Sequence, residues 1–428
     1  MGVYDVQNTY LNVLGIYTNT TQVDAYRGAG RPEAIYLLER MMDRAARELK
    51  IDPLELRRIN FIKKNNFPYK SSTGEMIDVG DFDRVLTAAE ISADIKGFQR
   101  RKKESGAKGR LRGLGLCYYI ESILGDPSEE AKVVFEEHGD VKIFVGTQSN
   151  GQGHETVFAQ FLSDQTGIPT EKITVVQGDS DLIPNGGGTG GSRSVTVQNN
   201  ATLATVEKVI LSFSQYLSEK LGVDVENIEF DDISFRINGS NYSPNVLEVA
   251  NMACEDQRFD LLTHSAKATL DARSFPNGAH FAEVEIDPDT GFVQVVRYSV
   301  VDDFGNLINP MLAEGQVHGG VAQGIGQALY EHVVFDKEGQ LLTATFMDYG
   351  MPRAQDLPYY KFETECVPST ANIMGMKGCG EAGTVGALAA VANAVQDALW
   401  EIGIQQVDMP FTSEKIWSMI NSSNLAAE

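Results

Sequence analysis

The chain has 428 residues, 42% of them hydrophobic and 22% charged, which suits two or three packed domains and excludes bulk disorder. A formal net charge of −23 argues against a broad nucleic-acid-binding surface, and no apolar run approaches the roughly 18 residues that suggest a membrane-spanning helix. Four scattered cysteines, Cys117, Cys254, Cys366 and Cys379, form no Cys-x-x-Cys pair, which argues against a disulfide framework, a zinc ribbon or an iron–sulfur cluster and fits a reducing compartment. The opening residues, Met1 to Val6, lack the basic and apolar regions of a secretory signal, so a cytoplasmic location is expected.

In chain order, Ile35, Leu38, Met42, Ala45 and Leu49 recur at helical spacing behind Pro32, which predicts a helix over 32–49. A short helix from Pro53 to about Ile59 follows, then one from about Asp81 with Phe82, Val85, Leu86 and Ala89 on one face. The basic run Arg100 to Arg112 has no apolar period and reads as a domain boundary, dividing the chain into residues 1–108 and 109–428. Beyond it the pattern is mixed. A strand is expected over 140–146, a helix over 155–166, a strand over 172–177 and a helix over 202–221. A hairpin is expected over 280–296, turning at Asp287 to Gly291, and a small-residue helix over 383–400 should pack closely on its neighbours. The expected fold class is α+β.

Glycines number 41, against about 30 at ordinary usage, and the excess is clustered. Gly146 to Gly153 and Asn185 to Arg193 each lie between a strand and a helix, where bare backbone can turn N–H donors toward a phosphate or a flat polar ring, with Ser192 and Arg193 to complete an anion site. The alternative for each is a plain surface loop. A third cluster, Gly315 to Leu329, does not meet the spacing and context of a dinucleotide fingerprint and reads as a closely packed helix with glycine faces. The fourth, Met376 to Thr384, sets Glu381 between glycines at the entrance of an apolar helix, either compensating helix charge or acting as a general base. Cys379 has no histidine nearby in sequence to activate it. Arg27 and Arg31 flank a glycine loop and either form ion pairs, with Glu33 for example, or shape a pocket wall.

Taken together, Ala25-Tyr-Arg-Gly-Ala-Gly-Arg-Pro-Glu33, Gly151-Gln-Gly-His154, Gly188-Thr-Gly-Gly-Ser-Arg193, Ile308-Asn-Pro310 with Gly315-Gln-Val-His-Gly-Gly320, and Gly378-Cys-Gly-Glu-Ala-Gly-Thr384 resemble the molybdenum-binding large subunit of the xanthine dehydrogenase, aldehyde oxidase and carbon monoxide dehydrogenase family. The order and rough spacing match from about residue 4 to about 415. The resemblance implies two elongated mixed α/β molybdopterin-binding domains, the first incomplete. A family loop of the Gly-Gly-x-Phe-Gly-Gly type is not in this sequence, so the chain is expected to be the C-terminal half of a split subunit that docks to an N-terminal-half partner, the alternative being a fragment of a longer chain.

By the same resemblance, Gln152 and Gly153 with Gly188, Thr189, Gly190, Gly191, Ser192 and Arg193 would hold a molybdopterin cofactor in its cytosine dinucleotide form, with Gln323, Gly383 and Thr384 adding to the site. The metal would be held through the pterin dithiolene and by no protein ligand. Tyr26, Arg27, Gly28, Ala29 and Arg31 would line the substrate pocket. Glu381 matches the family's active-site base in a hydroxylation that inserts water-derived oxygen into an electron-poor C–H bond. The electrons would pass to 2Fe–2S and FAD subunits. Copper-containing carbon monoxide dehydrogenases carry cysteine and serine where this chain has Gly28 and Ala29, so an aldehyde or N-heteroaromatic substrate is favoured over carbon monoxide. Phe304, where relatives often have cysteine, carries no assigned role. A scaffold half that only clamps the pterin or assembles the complex is the alternative, and a nicotinamide-dependent enzyme lacks its fingerprint.

Overall fold

The computed structural model describes residues 1–136 and 139–427. In chain order the N-terminal region holds α1 (Arg31–Leu49), α2 (Pro53–Asn60), β1 (Tyr69–Lys70), β2 (Met76–Ile77), α3 (Phe82–Ser92) and α4 (Phe98–Gly106). Next come β3 (Leu111–Ile120), β4 (Ser128–Phe135), β5 (Val141–Val145), α5 (His154–Thr166), β6 (Ile173–Val176), α6 (Ser194–Leu221), β7 (Ile228–Phe230), β8 (Phe235–Ile237), α7 (Val246–Glu255) and β9 (Thr263–Thr269). The chain closes with β10 (Asn277–Ile286), β11 (Val293–Asp303), α8 (Pro310–Leu329), β12 (Tyr360–Thr364), α9 (Ala382–Trp400) and α10 (Ser413–Ala427). No helix among the described residues is long and apolar enough to cross a membrane.

One four-stranded sheet has the order β12-β11-β10-β3 and is covered on both faces. The period of two along its strands assigns side chains to two different cores. Leu116, Tyr118 and Ile120 of β3 face the N-terminal layer with Phe61, Phe82 and Leu86, while Cys117 and Tyr119 face α8 and α9. The expected hairpin is the antiparallel pair β10–β11, and its alternation slips at an irregularity beside Glu283/Val284 that returns Tyr298 and Val300 to the same core as Val293 and Val295. Helix α9 lies on β3 with backbone nearly touching backbone: a Cβ on Gly115 would stand 2.0 Å from the Ala390 carbonyl oxygen, and one on Gly113 2.0 Å from that of Ala394. Helices α8 and α9 meet in the same way through glycines on both, a Cβ on Gly320 of α8 falling 2.8 Å from the Thr384 nitrogen and one on Gly383 of α9 falling 2.3 Å from the Val317 carbonyl oxygen.

The second sheet has the order β6-β5-β4-β9. It buries one face under α5 and α6, and β4 accordingly alternates half-buried and buried residues along its length. Two elements depart from the sequence expectation for the same reason. The run Arg100 to Arg112, expected to lack regular structure, is partly helical: Phe98–Gly106 forms α4, which packs on β3 with charge turned inward. Arg101 donates to Glu283 at 2.6 Å and to Asp94 at 2.6 Å, and Arg112 donates to Glu283 at 2.6 Å. Helix α6 begins at Ser194 rather than near Thr202, and its added turns also bury polar side chains. Gln198 accepts from the Gly146 N–H at 3.0 Å and donates to the Glu130 carbonyl at 3.0 Å. Neither inward face carries the apolar stripe that helical periodicity detects.

Candidate cofactor-binding site

Strands β5 and β6 are adjacent and parallel, so the loops that follow them leave the sheet at the same end. Residues 146–153 lead from β5 to α5, and residues 177–193 lead from β6 to α6. They meet through bare backbone: a Cβ on Gly186 would lie 2.5 Å from the Gly146 carbonyl oxygen, and the Thr189 hydroxyl donates to the Gln148 carbonyl at 2.5 Å. The second loop is pinned from behind by Arg193. Its guanidinium pairs with the buried Glu129 carboxylate at 2.7 Å and donates to the carbonyls of Asp126, Gly188 and Ser128 at 2.6, 3.0 and 3.0 Å. Glu129 also accepts from the Gly187 N–H at 2.8 Å.

A third segment, residues 378–381, reaches the loop pair just before α9. Gly378 is required there, since a Cβ on it would sit 2.0 Å from the Ser192 carbonyl oxygen and 2.8 Å from Ser192 Cβ. The space cleared by this glycine is therefore filled by Ser192, which holds a φ of 55°, unusual for a residue with a side chain. The Ser192 hydroxyl donates to Glu381 Oε2 at 2.7 Å and accepts from the Glu381 N–H at 3.1 Å. Glu381 Oε1 accepts from the Gly28 N–H at 2.9 Å, which ties in the segment before α1. Glu381 is the N-cap residue of α9, but its side chain makes no capping hydrogen bond to that helix.

Between these segments and the first turns of α8 lies a cavity of about 720 Å³, within the usual range for small-molecule sites. Of the residues singled out in the sequence, Gln152, Thr189, Gly190, Gly191, Ser192, Gln323, Arg27 and Glu381 line it. Others stand behind the wall. Gly153 starts α5 against Leu312, Gly188 accepts from Arg193, and Gly383 and Thr384 face α8, where the Thr384 hydroxyl donates to the Gly320 carbonyl at 3.2 Å. Arg193, with its guanidinium engaged by Glu129 and three carbonyls, shapes the loop rather than facing the cavity. In the segment before α1, Gly28 is buried against Glu381, Tyr26 is 46% exposed and Ala29 is exposed. Arg31 donates to the Ser122 hydroxyl at 3.1 Å, and no ion pair with Glu33 occurs among the described residues.

Arg27 runs along the wall, donating to the Gly380 carbonyl at 2.6 Å, to Gln323 at 3.1 Å and to the Gln316 side chain at 2.9 Å. Burial lowers its affinity for its proton somewhat, and Cys379 and Glu381 oppose that. Burial pushes the Cys379 thiol up to about 12, so it is a neutral, unreactive wall group at physiological pH. The same cause holds the His154 imidazole below its usual range. Glu121, just past β3, is 1% exposed and held well above the carboxylate range, first by burial and then by Glu381 beside it. The sequence offered one faint sign of it, a lone acidic residue ending the apolar run of β3.

The residues present fit an extended, polar, phosphate-bearing cofactor. A Cβ on Gly151, Gly188 or Gly190 would meet nothing within 4 Å, so backbone at or beside the cavity is bare, and Gln152, Gln316 and Gln323 add side-chain donors.

Comparison with known proteins agrees with this geometry. A family model described as a molybdopterin cofactor-binding domain matches residues 88–358, and a second of the same description matches residues 1–61. The chain is 34% identical to the nicotine 6-hydroxylase large subunit of Paenarthrobacter nicotinovorans, covering 97% of this chain and 53% of that one. It is 32% identical to the carbon monoxide dehydrogenase large chain of Hydrogenophaga pseudoflava, covering 99% and 55%. Among solved structures, quinoline 2-oxidoreductase from Pseudomonas putida superimposes with a TM-score of 0.86 at 31% identity, covering 93% of this chain and 53% of that one. The chain thus spans about half the length of the relatives it matches. Its loops, its cavity and these matches agree, and the chain belongs to the molybdopterin-binding large-subunit family of the xanthine dehydrogenase and carbon monoxide dehydrogenase type.

Proposed function

We propose that this chain is the C-terminal half of the molybdenum subunit of a hydroxylase that inserts water-derived oxygen into an electron-poor C–H bond, with Glu381 as general base. The observation that carries this reading is the placement of Glu381 in the cavity wall, between the Gly28 N–H and the Ser192 hydroxyl. Those two donors orient the carboxyl. Each carboxylate oxygen accepts more than one hydrogen bond, so with one donor apiece the group retains the capacity to take a proton.

Gln152, Thr189, Gly190, Gly191, Ser192 and Gln323 would hold a molybdopterin cofactor, in its cytosine dinucleotide form, through amide and side-chain donors at the cavity. When bound, this cofactor supplies the two-electron redox chemistry. Gly153, Gly188, Arg193, Gly383 and Thr384 would fix the loops and the helix entrance behind them. Arg27 fixes the Gly380 peptide next to the base, and with Tyr26, Gly28, Ala29 and Arg31 it would border the substrate.

The partners proposed are an N-terminal half, a 2Fe–2S subunit and an FAD subunit in the cytoplasm. An exposed apolar arm supports the first: Tyr10, Leu11, Val13, Leu14, Ile16 and Tyr17 are all at least 72% exposed. An aldehyde or N-heteroaromatic substrate is favoured, because Gly28 and Ala29 offer no thiolate for copper and relatives act on nicotine and quinoline by name. The test is Glu381→Gln in the assembled complex: turnover is lost while bound molybdenum and pterin are unchanged. Full turnover would remove the base assignment and leave the chain a scaffold.

A further inference from the structure

Glu121 is the buried titratable group beside the site that the mechanism above does not use. Its Oε2 has no hydrogen-bond partner among the described residues, and Oε1 has only the Ser192 hydroxyl at 3.4 Å. That hydroxyl has a single proton and stands much closer to Glu381 Oε2, at 2.7 Å. No cation lies within ion-pair distance of Glu121 among the described residues, and Arg31, which acts on it electrostatically, is hydrogen-bonded to Ser122. An ionised carboxylate so placed would be shielded from bulk solvent and would lack a good protein donor. The Ser192 hydroxyl lies 3.4 Å from Glu121 Oε1 and 2.7 Å from Glu381 Oε2, which sets the two carboxyls side by side, and neighbouring carboxyls do not readily both ionise.

We propose that Glu121 is a positioning residue that keeps its proton and donates a hydrogen bond to Glu381, orienting that carboxyl for its work at the cavity. The inference deepens the general-base reading and rests on it. Burial is the largest influence holding the proton on Glu121, Glu381 reinforces it, and Arg31 and Ser192 oppose it. The remaining titratable groups that sense Glu121 are otherwise engaged: Arg27 binds Gly380, Gln316 and Gln323, Cys379 is a neutral thiol, and Tyr119 donates to Asp302 at 3.0 Å. In this arrangement Glu381 has three donors, from Gly28, Ser192 and Glu121.

Infrared spectroscopy of the assembled complex tests this without any substrate. Wild type at neutral pH should show the C=O stretch of a buried carboxylic acid, absent in Glu121→Gln and shifted in frequency in Glu121→Asp, which serves if the glutamine variant does not fold. In Glu381→Gln the band should remain but titrate away at lower pH, because the neighbouring negative charge is gone. A wild-type band absent at neutral pH, or a titration midpoint unmoved by Glu381→Gln, would overturn the proposal. Benzaldehyde or quinoline oxidation by the Glu381→Gln complex is read in parallel. Turnover there defeats the base assignment alone, whereas the infrared result decides whether the two carboxyls share a proton.

Discussion

A methyl group on Gly378 perturbs the site without altering any group assigned to the chemistry. In Gly378→Ala the new Cβ would lie 2.0 Å from the Ser192 carbonyl oxygen and 2.8 Å from Ser192 Cβ, so Ser192 must retreat by about 1 Å or more to reach ordinary contact. The hydrogen bond from Ser192 to Glu381 starts at 2.7 Å and would be stretched beyond useful length. Overpacking costs about 1–3 kcal/mol of stability, and a lost hydrogen bond to a charged group about 1.5–3 kcal/mol more. A catalytic group displaced by about 1 Å lowers turnover roughly 100-fold. The control is Gly190→Ala, whose Cβ meets nothing within 4 Å, so the fold should be unaffected while cofactor content falls. Urea denaturation, pterin content and kcat for both variants are the assay. Gly378→Ala with wild-type stability and turnover would refute the role given to this contact.

Gly115→Ala should destabilise the fold by about 3 kcal/mol or more in urea denaturation, because the methyl meets the α9 backbone at 2.0 Å and a helix packed on a sheet cannot yield locally. Arg193→Gln strands the buried Glu129 carboxylate and should cost about 3–5 kcal/mol; a loss under about 1 kcal/mol would show the pair to be dispensable. Glu121 binds its proton more tightly folded than unfolded, so its contribution is full below pH 4.5, its usual value, and is lost as pH rises through the raised folded value. Stability of wild type relative to Glu121→Gln should therefore decline as pH is raised from 4.5, and parallel pH–stability curves would contradict this. Cys379, its thiol pushed up to about 12, should resist alkylation at neutral pH under conditions that label the exposed Cys366, as peptide mapping would show.

The elements legible in the sequence were those with an apolar period: α1, α3, α5 and the β10–β11 hairpin lie within a few residues of expectation. The small-residue helix α9 was also legible, since alanine and glycine leave close approach as the only way to bury surface. What escaped was polar burial. Helix α4 and the first turns of α6 hide behind inward-facing Arg101 and Gln198, whose partners Glu283 and Glu130 are far away in sequence. The same holds at the site. Glycine clusters mark Thr189 to Ser192 and Glu381 by composition, but only the fold distinguishes the residues that face the cavity from Arg193, Gly383 and Thr384 behind it. Glu121 is invisible until tertiary contacts bring the end of β3 against Ser192 and Glu381.

The most direct measurement is a structure of the complete complex with its cofactor bound. The pterin should lie against residues 150–152 and 189–192, with Glu381 beside the metal and still held by the Gly28 N–H and the Ser192 hydroxyl. A cofactor lodged elsewhere, or Glu381 turned away from the metal into another contact, would contradict this assignment.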